Sequence, residues 1–276
     1  MMLSRKIGID LGTSTVRIYI KGEGVVVNER ADQKRTLHEL IGKANGRPRL
    51  FRPDVVVSVP SAVTPGERRA VTEAAISAGA RQVWLIDEPL AAAMGAGLPI
   101  GELRASAICE LGATTTEIAV ISHSGTVVEH SVAVGGNDLD RAIAKALSLD
   151  ERTAEEVKMA VGSAVPMQEP LMTMVAGVSV SSNAILEAIQ PPLRAIAAAT
   201  REVLRQAPAG MAADVRERGI VLSGGGAQLR GIDRFISLHA GIPATVAAEP
   251  QTSVVRGTGI ALESFEVLKR NQSYIR

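Results

Sequence analysis

The fold is decided by a stretch that occurs twice. Residues 9–18 read IDLGTSTVRI and residues 109–118 read CELGATTTEI, and the two copies align without a gap. In each copy an apolar strand ends in an acid, a turn rich in glycine and hydroxyl groups comes next, and an alternating strand returns. The pattern predicts two β-hairpins with polar tips, one in each half of the chain.

Two such tips would form a phosphate clamp if they faced each other. Their backbone amides and hydroxyls would hold phosphate oxygens, while Asp10 and Glu110 would orient the waters of a Mg²⁺ ion, which prefers oxygen ligands. The alternative is two ordinary hairpin turns, since glycine, serine and threonine are common in turns. The predicted phosphate-binding residues are Gly12, Thr13, Ser14, Thr15, Gly112, Ala113, Thr114 and Thr115.

Composition narrows the class of protein. A chain of 276 residues that is 46% hydrophobic can bury a sizeable core. Its net charge of +1 argues against nucleic acid as a partner, because a broad positive field is absent. The lone cysteine, Cys109, excludes a disulfide framework within the chain and is predicted to be a core residue. No apolar run reaches the roughly 18 residues of a membrane span, so we expect a cytoplasmic protein.

The rest of the chain has an α/β pattern. The clearest helix is residues 64–79, where Thr64 and Glu67 form a capping box and an apolar stripe includes Ala70, Ala74 and Ala75. A second helix is predicted over 183–207, interrupted or kinked at its two prolines. Short apolar runs predict buried strands at 6–11, 54–59, 83–86, 105–111 and 219–222.

With these elements in place, the chain resembles the actin, heat-shock 70 and sugar-kinase superfamily. The stretch DLGT at 10–13 is similar to the first phosphate loop of that superfamily, and ELGATTTE at 110–117 to the second. IDEPLAAA at 86–93 is similar to its connecting segment, and IVLSGGGA at 220–227 to its adenosine motif. The resemblance implies an actin-like ATPase fold, in which two related α/β halves enclose a nucleotide cleft.

The resemblance also assigns roles. It implies that Glu88 polarises the attacking water, that Asp10 and Glu110 hold Mg²⁺ through water, and that the nucleotide is ATP or GTP. The nucleoside would lie against Glu155 and Lys158 of one helix and against the loop Gly224, Gly225 and Gly226, where glycine permits close backbone approach.

Within the superfamily the chain resembles the MreB/Mbl family of bacterial, rod shape-determining proteins. The phrases FRP at 51–53, VPS at 59–61, ERRAV at 67–71, VGG at 134–136 and GTG at 257–259 carry this resemblance. It implies self-assembly into filaments, with full-length MreB-type homologues and cell-wall elongation membrane proteins as further partners. It also implies a peripheral location at the inner face of the membrane, contacted by Leu50 and Phe51; the alternative is that these two residues begin a core strand.

Departures from the family are predicted as well. A short polar stretch at 30–47 replaces most of the first small subdomain, and the second, approximately 143–208, is trimmed. The first half would then be 1–110 and the second 111–276, with a C-terminal helix that could return to the first half. Glu110 stands where the family has Asp, and Ala113 and Thr114 replace glycines, so hydrolysis should be slow.

These inferences leave three functions open. The chain could be the subunit of a membrane-associated filament in cell shape or cell-wall growth, where ATP closes the two halves on each other. It could be a nucleotide-binding paralogue that does not hydrolyse and co-assembles with a full-length MreB. It could also be a small ATP-dependent kinase or chaperone, since this superfold hosts several activities.

Overall fold

The structure, a computed structural model, describes residues 5–31, 37–45, 52–175 and 177–263. Its strands are β1 Lys6–Leu11, β2 Thr15–Ile20, β3 Gly24–Arg30, β4 Asp54–Val59, β5 Gln82–Asp87, β6 Ser106–Leu111, β7 Thr116–Ser122, β8 Gly125–Val132, β9 Met172–Val175, β10 Val178–Ser181, β11 Ile220–Ser223 and β12 Ala244–Val246. Its α-helices are α1 Leu37–Asn45, α2 Pro65–Ser77, α3 Glu88–Gly95, α4 Gly136–Leu147, α5 Glu151–Val161, α6 Ser182–Gln206, α7 Ala209–Arg218, α8 Ile232–Ala240 and α9 Ser253–Glu263.

Two five-stranded sheets have the same topology. The first has the order β3-β2-β1-β4-β5 and the second, read in the same sense, β8-β7-β6-β11-β12. In both, three antiparallel strands precede two strands that add in parallel. The predicted hairpins are β1–β2 and β6–β7. The actin-like fold of two related α/β halves is therefore present, and the second sheet starts at Ser106, ahead of the boundary predicted between residues 110 and 111.

A shared core joins the halves. The inner strands β4 and β6 are buried along their whole length, as their mainly apolar sequences predict. Helices α3 and α9 pack together, and one apolar cluster includes side chains from both of them and from both sheets, such as Val56 and Ile108. The two helices touch backbone to backbone, because a Cβ on Gly257 would lie 1.8 Å from the carbonyl oxygen of Ala91.

The halves differ beyond their third strand. In the second half, α4, α5, β9, β10, α6 and α7 lie between β8 and β11. In the first half, residues 31–53 connect β3 to β4, and α1 is the one described element there. The first small subdomain is thus largely missing. The stretch is not wholly polar as predicted, because Leu40, Ile41 and Ala44 of α1 are buried in the apolar core of the first half.

Two predicted helices differ in detail. Helix α2 has the predicted capping box, but Ala70 and Ala74 are exposed, so the predicted stripe was partly wrong. The inward face is rotated toward Arg68, whose guanidinium pairs with the buried carboxylate of Asp87. Helix α6 continues through Pro191 and Pro192, so the predicted interruption was wrong, while a kink at the two prolines stays a prediction.

Several further predictions concern burial and membranes. Cys109 is fully buried, as predicted, and burial raises the pKa of its thiol. Among the described residues, every helix is too short or too polar to cross a bilayer. Leu50 and Phe51, the predicted membrane contact, lie outside the described residues.

Candidate functional site

A cleft with a volume of about 470 Å³ lies between the two halves. Both hairpin tips, the first residue of α3, one face of α5 and the glycine loop after β11 line it. All predicted site residues in the described part of the chain meet there: Asp10, Gly12, Thr13, Ser14, Thr15, Glu88, Glu110, Gly112, Ala113, Thr114, Thr115, Glu155, Lys158, Gly224, Gly225 and Gly226.

The hairpin tips are built alike and face each other. A Cβ on Gly12 would lie 2.8 Å from the carbonyl oxygen of Thr15, and a Cβ on Gly112 would lie 3.0 Å from that of Thr115. Equivalent glycines therefore make equivalent close approaches, which a larger residue would disturb. The hydroxyls of Thr13 and Thr114 are 3.2 Å apart, so the two tips meet across the cleft.

The glycine loop after β11 lies against the second hairpin. Gly224 has a φ of +84°, and a Cβ there would lie 2.4 Å from the carbonyl oxygen of Leu111, so only glycine fits. A Cβ on Gly225, in contrast, would have no atom within 4 Å. The loop is thus fixed by Gly224 and leaves open space beside Gly225, on the cleft wall.

Buried acids cluster at the hairpin end of the cleft. Burial raises the pKa of Asp10, although the Arg17 guanidinium beside it opposes that rise. Burial, with the nearby Asp10 and Glu117, raises the pKa of Glu110 well above its ordinary value. The pKa of Glu88 is raised well above its usual range by burial and then by Glu110 and other acids. Several carboxyls here compete for few compensating charges.

Glu117 links the second hairpin to the first half. It lies opposite Glu110 in the β6–β7 ladder and is fully buried. Its carboxylate accepts hydrogen bonds of 2.9 Å from both the amide and the hydroxyl of Ser61, after β4. Burial outweighs these bonds and raises the pKa of Glu117 to about 7.

Three ion pairs that line the cleft were missed in the sequence. Arg17 lies 3.3 Å from Asp10. Arg30, at the end of β3, reaches across the cleft to Glu155 on α5 at 2.8 Å. Lys158 lies 2.7 Å from Asp140 and also donates to the Gly136 carbonyl, so its ammonium braces α5 against α4. Ion pairs between distant elements leave no spacing pattern in a sequence, although hairpin register opposes Asp10 and Arg17.

The same acids bear on a metal ion. The described residues include no group of three or more potential protein ligands that could hold a metal directly. Asp10 and Glu110 nevertheless both line the cleft, and their charges interact. That arrangement fits a hydrated Mg²⁺ held through water, the form the sequence predicts.

Comparison with known sequences identifies clear relatives. A family model described as MreB/Mbl protein matches residues 31–270. The cell shape-determining protein MreB of Escherichia coli K12 is 37% identical over 331 aligned positions, covering 96% of this chain and 95% of that protein. Cell shape-determining protein Mbl of Bacillus subtilis 168 is 30% identical, covering 98% and 99%. Because this chain has 276 residues, at least 55 of the 331 positions (331 less 276) are gaps in it.

Solved structures share the fold. The crystal structure of MreB5 of Spiroplasma citri bound to ADP matches with a TM-score of 0.87 and 25% identity, covering 97% of this chain and 99% of that one. The MamK double helical filament matches with a TM-score of 0.77 and 16% identity, covering 95% and 99%. At that lower identity the likeness concerns the fold alone.

Proposed function

The chain belongs to the MreB/Mbl family of actin-like proteins, and we propose that it binds ATP or GTP and assembles into filaments that act in cell shape or cell-wall growth. The observation that carries this proposal is the cleft that collects both hairpin tips, α5 and the glycine loop. Its volume falls in the range of small-molecule sites. Related MreB5 proteins of S. citri are bound to ADP and to AMPPNP, which supports a nucleotide as the ligand.

In this proposal each wall of the cleft has its own task. The amides and hydroxyls of residues 12–15 and 112–115 hold the phosphates, and the open side of Gly225 admits the nucleoside. Glu155 and Lys158 border the nucleoside, and the ion pair between Lys158 and Asp140 also holds α5 against α4. Asp10 and Glu110 hold a hydrated Mg²⁺ through water. When bound, that ion neutralises phosphate charge.

Hydrolysis is proposed to be slow. Glu88 stands at the start of α3 and lines the cleft, where it would orient the attacking water. Its raised pKa favours the protonated form, which cannot accept a proton from water. Glu110 is one methylene longer than aspartate, and the side chains of Ala113 and Thr114 restrict the tip. We expect phosphate release slower than that of a full-length MreB, slower still in Glu88→Ala, and faster when Glu110→Asp is combined with Ala113→Gly and Thr114→Gly.

Assembly tests the proposal as a whole. The protein should pellet, and form filaments in electron micrographs, with AMPPNP more readily than with ADP or without nucleotide. Because the first small subdomain is largely missing, the critical concentration should exceed that of a full-length MreB measured in the same buffer. Absence of assembly under every condition, alone or mixed with that homologue, would contradict the proposal.

A second candidate function has support from the altered second hairpin. Glu110, Ala113 and Thr114 together with the like-charged Glu117 favour a subunit that binds nucleotide without turning it over and co-assembles with a full-length homologue. Filaments that appear only in the mixture, with no phosphate release by this chain, would identify that role. Cell-wall elongation membrane proteins would then be reached through the shared filament.

Peripheral membrane contact through Leu50 and Phe51 stays a prediction. Arg47, Arg49 and Arg52 neighbour these residues in the sequence, and basic residues near an anionic surface each contribute about 1 kcal/mol. Flotation with anionic liposomes should be lost in the Leu50→Ser, Phe51→Ser double variant and weakened by salt. Equal flotation of variant and wild type would assign the two residues to the core.

A further inference from the structure

A buried arginine lies at the end of the cleft where the acids meet. Arg17 is in β2, opposite Asp10 in β1, and only 9% of its surface is exposed. Its Nη1 lies 3.3 Å from the Asp10 carboxylate, and its Nε donates to the side-chain oxygen of Asn28 in β3 at 3.1 Å. Contacts from both neighbouring strands therefore hold the guanidinium at a fixed position on the cleft wall.

The guanidinium retains donors for a further acceptor. A guanidinium has five N–H donors, and these two bonds employ Nε and Nη1. Nη2 makes no hydrogen bond to any residue that the structure describes. Because Arg17 lines the cleft, this nitrogen is available to a ligand there. A planar fork with free donors is the group that best matches phosphate oxygens.

Arg17 differs from the other described cations of the cleft in the acids on which its charge acts, because the others have partners away from Asp10 and Glu110. Lys158 is paired with Asp140, and Arg30 with Glu155. Arg230, also on the wall, donates to the Gly162 carbonyl. Arg17 has a charge that acts on both Asp10 and Glu110, the acids beside the hairpin tips. A polyphosphate brought to those tips would otherwise meet buried carboxyls with little compensating charge.

We propose that Arg17 is a phosphate-binding residue and supplies part of the positive charge that a divalent metal would otherwise supply. This inference rests on the proposed nucleotide binding and deepens it. The cleft would then bind nucleoside di- and triphosphates even without Mg²⁺, because Asp10 already has a fixed counter-charge and Nη2 is available to a phosphate oxygen.

Calorimetry with AMPPNP and with ADP, in Mg²⁺ and in EDTA, tests the inference on the full chain. Wild type should bind in EDTA with an affinity within about 10-fold of that in Mg²⁺. Arg17→Met should lose about 10-fold or more in EDTA, the size expected for one hydrogen bond to a charged group. Arg17→Lys, which keeps the charge, should lose less. Arg205→Met is the matched control, because Arg205 is an ion-paired arginine on α6 outside the cleft.

The outcomes separate the two proposals. Wild-type binding in Mg²⁺ that disappears in EDTA would overturn the role of Arg17 and leave the nucleotide site intact, and this arm needs no variant to fold. Unchanged affinity of Arg17→Met and Arg17→Lys in EDTA, with circular dichroism showing folded protein, would also overturn it. No binding by wild type in either buffer would refute the nucleotide site itself.

Discussion

The two hairpins of the cleft have the same backbone arrangement but differ in the charges of one cross-strand pair. Their turn glycines make the same close approaches, and both hairpins precede a pair of parallel strands. In the first, the cross-strand pair below the tip is Asp10 with Arg17; in the second, it is Glu110 with Glu117. The backbone of the repeat has been kept while its charges have diverged, so equivalent positions do not have equivalent chemistry.

This difference makes the halves respond differently to protons. Arg17 compensates Asp10 within its own hairpin and opposes the rise of its pKa. The second hairpin, residues 106–122, contains neither lysine nor arginine, and the pKa values of Glu110 and Glu117 are both raised. The buried acids of the second hairpin are therefore stabilised by protonation and by the hydrogen bonds from Ser61. The buried acid of the first hairpin is stabilised by an ion pair.

The largest effect on the free energy of unfolding should come from removing the cation of the first hairpin, because its acid would then lack a counter-charge, as the acids of the second hairpin do. Arg17→Met leaves Asp10 buried without its cation, and breaking a buried ion pair typically costs about 3–5 kcal/mol. The loss in free energy of unfolding should be smaller at pH 5 than at pH 8, because the pKa of Asp10 rises further and protonation then removes the uncompensated charge. Urea unfolding at both pH values measures this. An equal loss at both, or a loss no larger than in Arg205→Met, would contradict it.

A smaller effect on the free energy of unfolding, and one of opposite sign, should come from neutralising Glu117 in the second hairpin. The folded-state pKa of Glu117, about 7, lies above its ordinary 4.5, so the folded state binds the proton more tightly. That contribution is fully present below pH 4.5 and is lost as pH rises through 7. At about 1.4 kcal/mol per pKa unit, it amounts to about 3 kcal/mol.

Glu117→Gln mimics the protonated acid and keeps an oxygen for Ser61. Below pH 4.5 the variant and wild type should have similar unfolding free energies, and at pH 8 the variant should be more stable by up to about 3 kcal/mol. Glu129→Gln, at an exposed position on the neighbouring strand β8, serves as a control with a smaller effect. A variant less stable than wild type at pH 8 would show that the carboxylate is needed in its charged form.

The smallest effect on the free energy of unfolding should come from removing the ion pair between Arg30 and Glu155, which links the halves across the cleft. Arg30 and Glu155 are 2.8 Å apart, but the arginine side chain is 75% exposed. Exposed pairs contribute about 0–1 kcal/mol, and salt screens them. Arg30→Ala should therefore change the unfolding free energy by less than about 1 kcal/mol. A larger change that persists in high salt would assign the pair a role in holding the halves together.

Local patterns predicted the inner strands well because these strands are buried on both faces. The strands at 6–11 and 54–59 begin and end where predicted, since each is a mainly apolar run with polar residues or a turn beside it. Helix α1 was not predicted, because its buried residues Leu40, Ile41 and Ala44 are diluted by polar neighbours. The inward face of α2 was misplaced because Arg68 reaches a buried acid, and a tertiary ion pair outweighs a stripe of alanines.

For the site, sequence reasoning identified residues that line the cleft but missed the ion-pair partners of the charged ones, namely Arg17, Arg30 and Asp140. Residues in the paired loops could be recognised because glycine and hydroxyl groups recur at equal spacing. Arg17 could have been found from the same repeat, since it aligns with Glu117 and hairpin register sets each opposite an acid. The ion-pair partners of Lys158 and Glu155 could be found only from the packed elements, because these pairs join residues from separate helices and halves.

The most direct test of the central claim, that a nucleotide lies between the two hairpins, is AMPPNP binding by Gly225→Val. A Cβ at Gly225 would meet no atom within 4 Å, so the added side chain should occupy the cleft without disturbing the fold. Gly101→Val is the matched control, because Gly101 has the same free space and lies outside the cleft. We predict that Gly225→Val lowers affinity by at least about 10-fold while wild type and Gly101→Val bind alike. Equal affinity of all three proteins would contradict the assignment of the cleft.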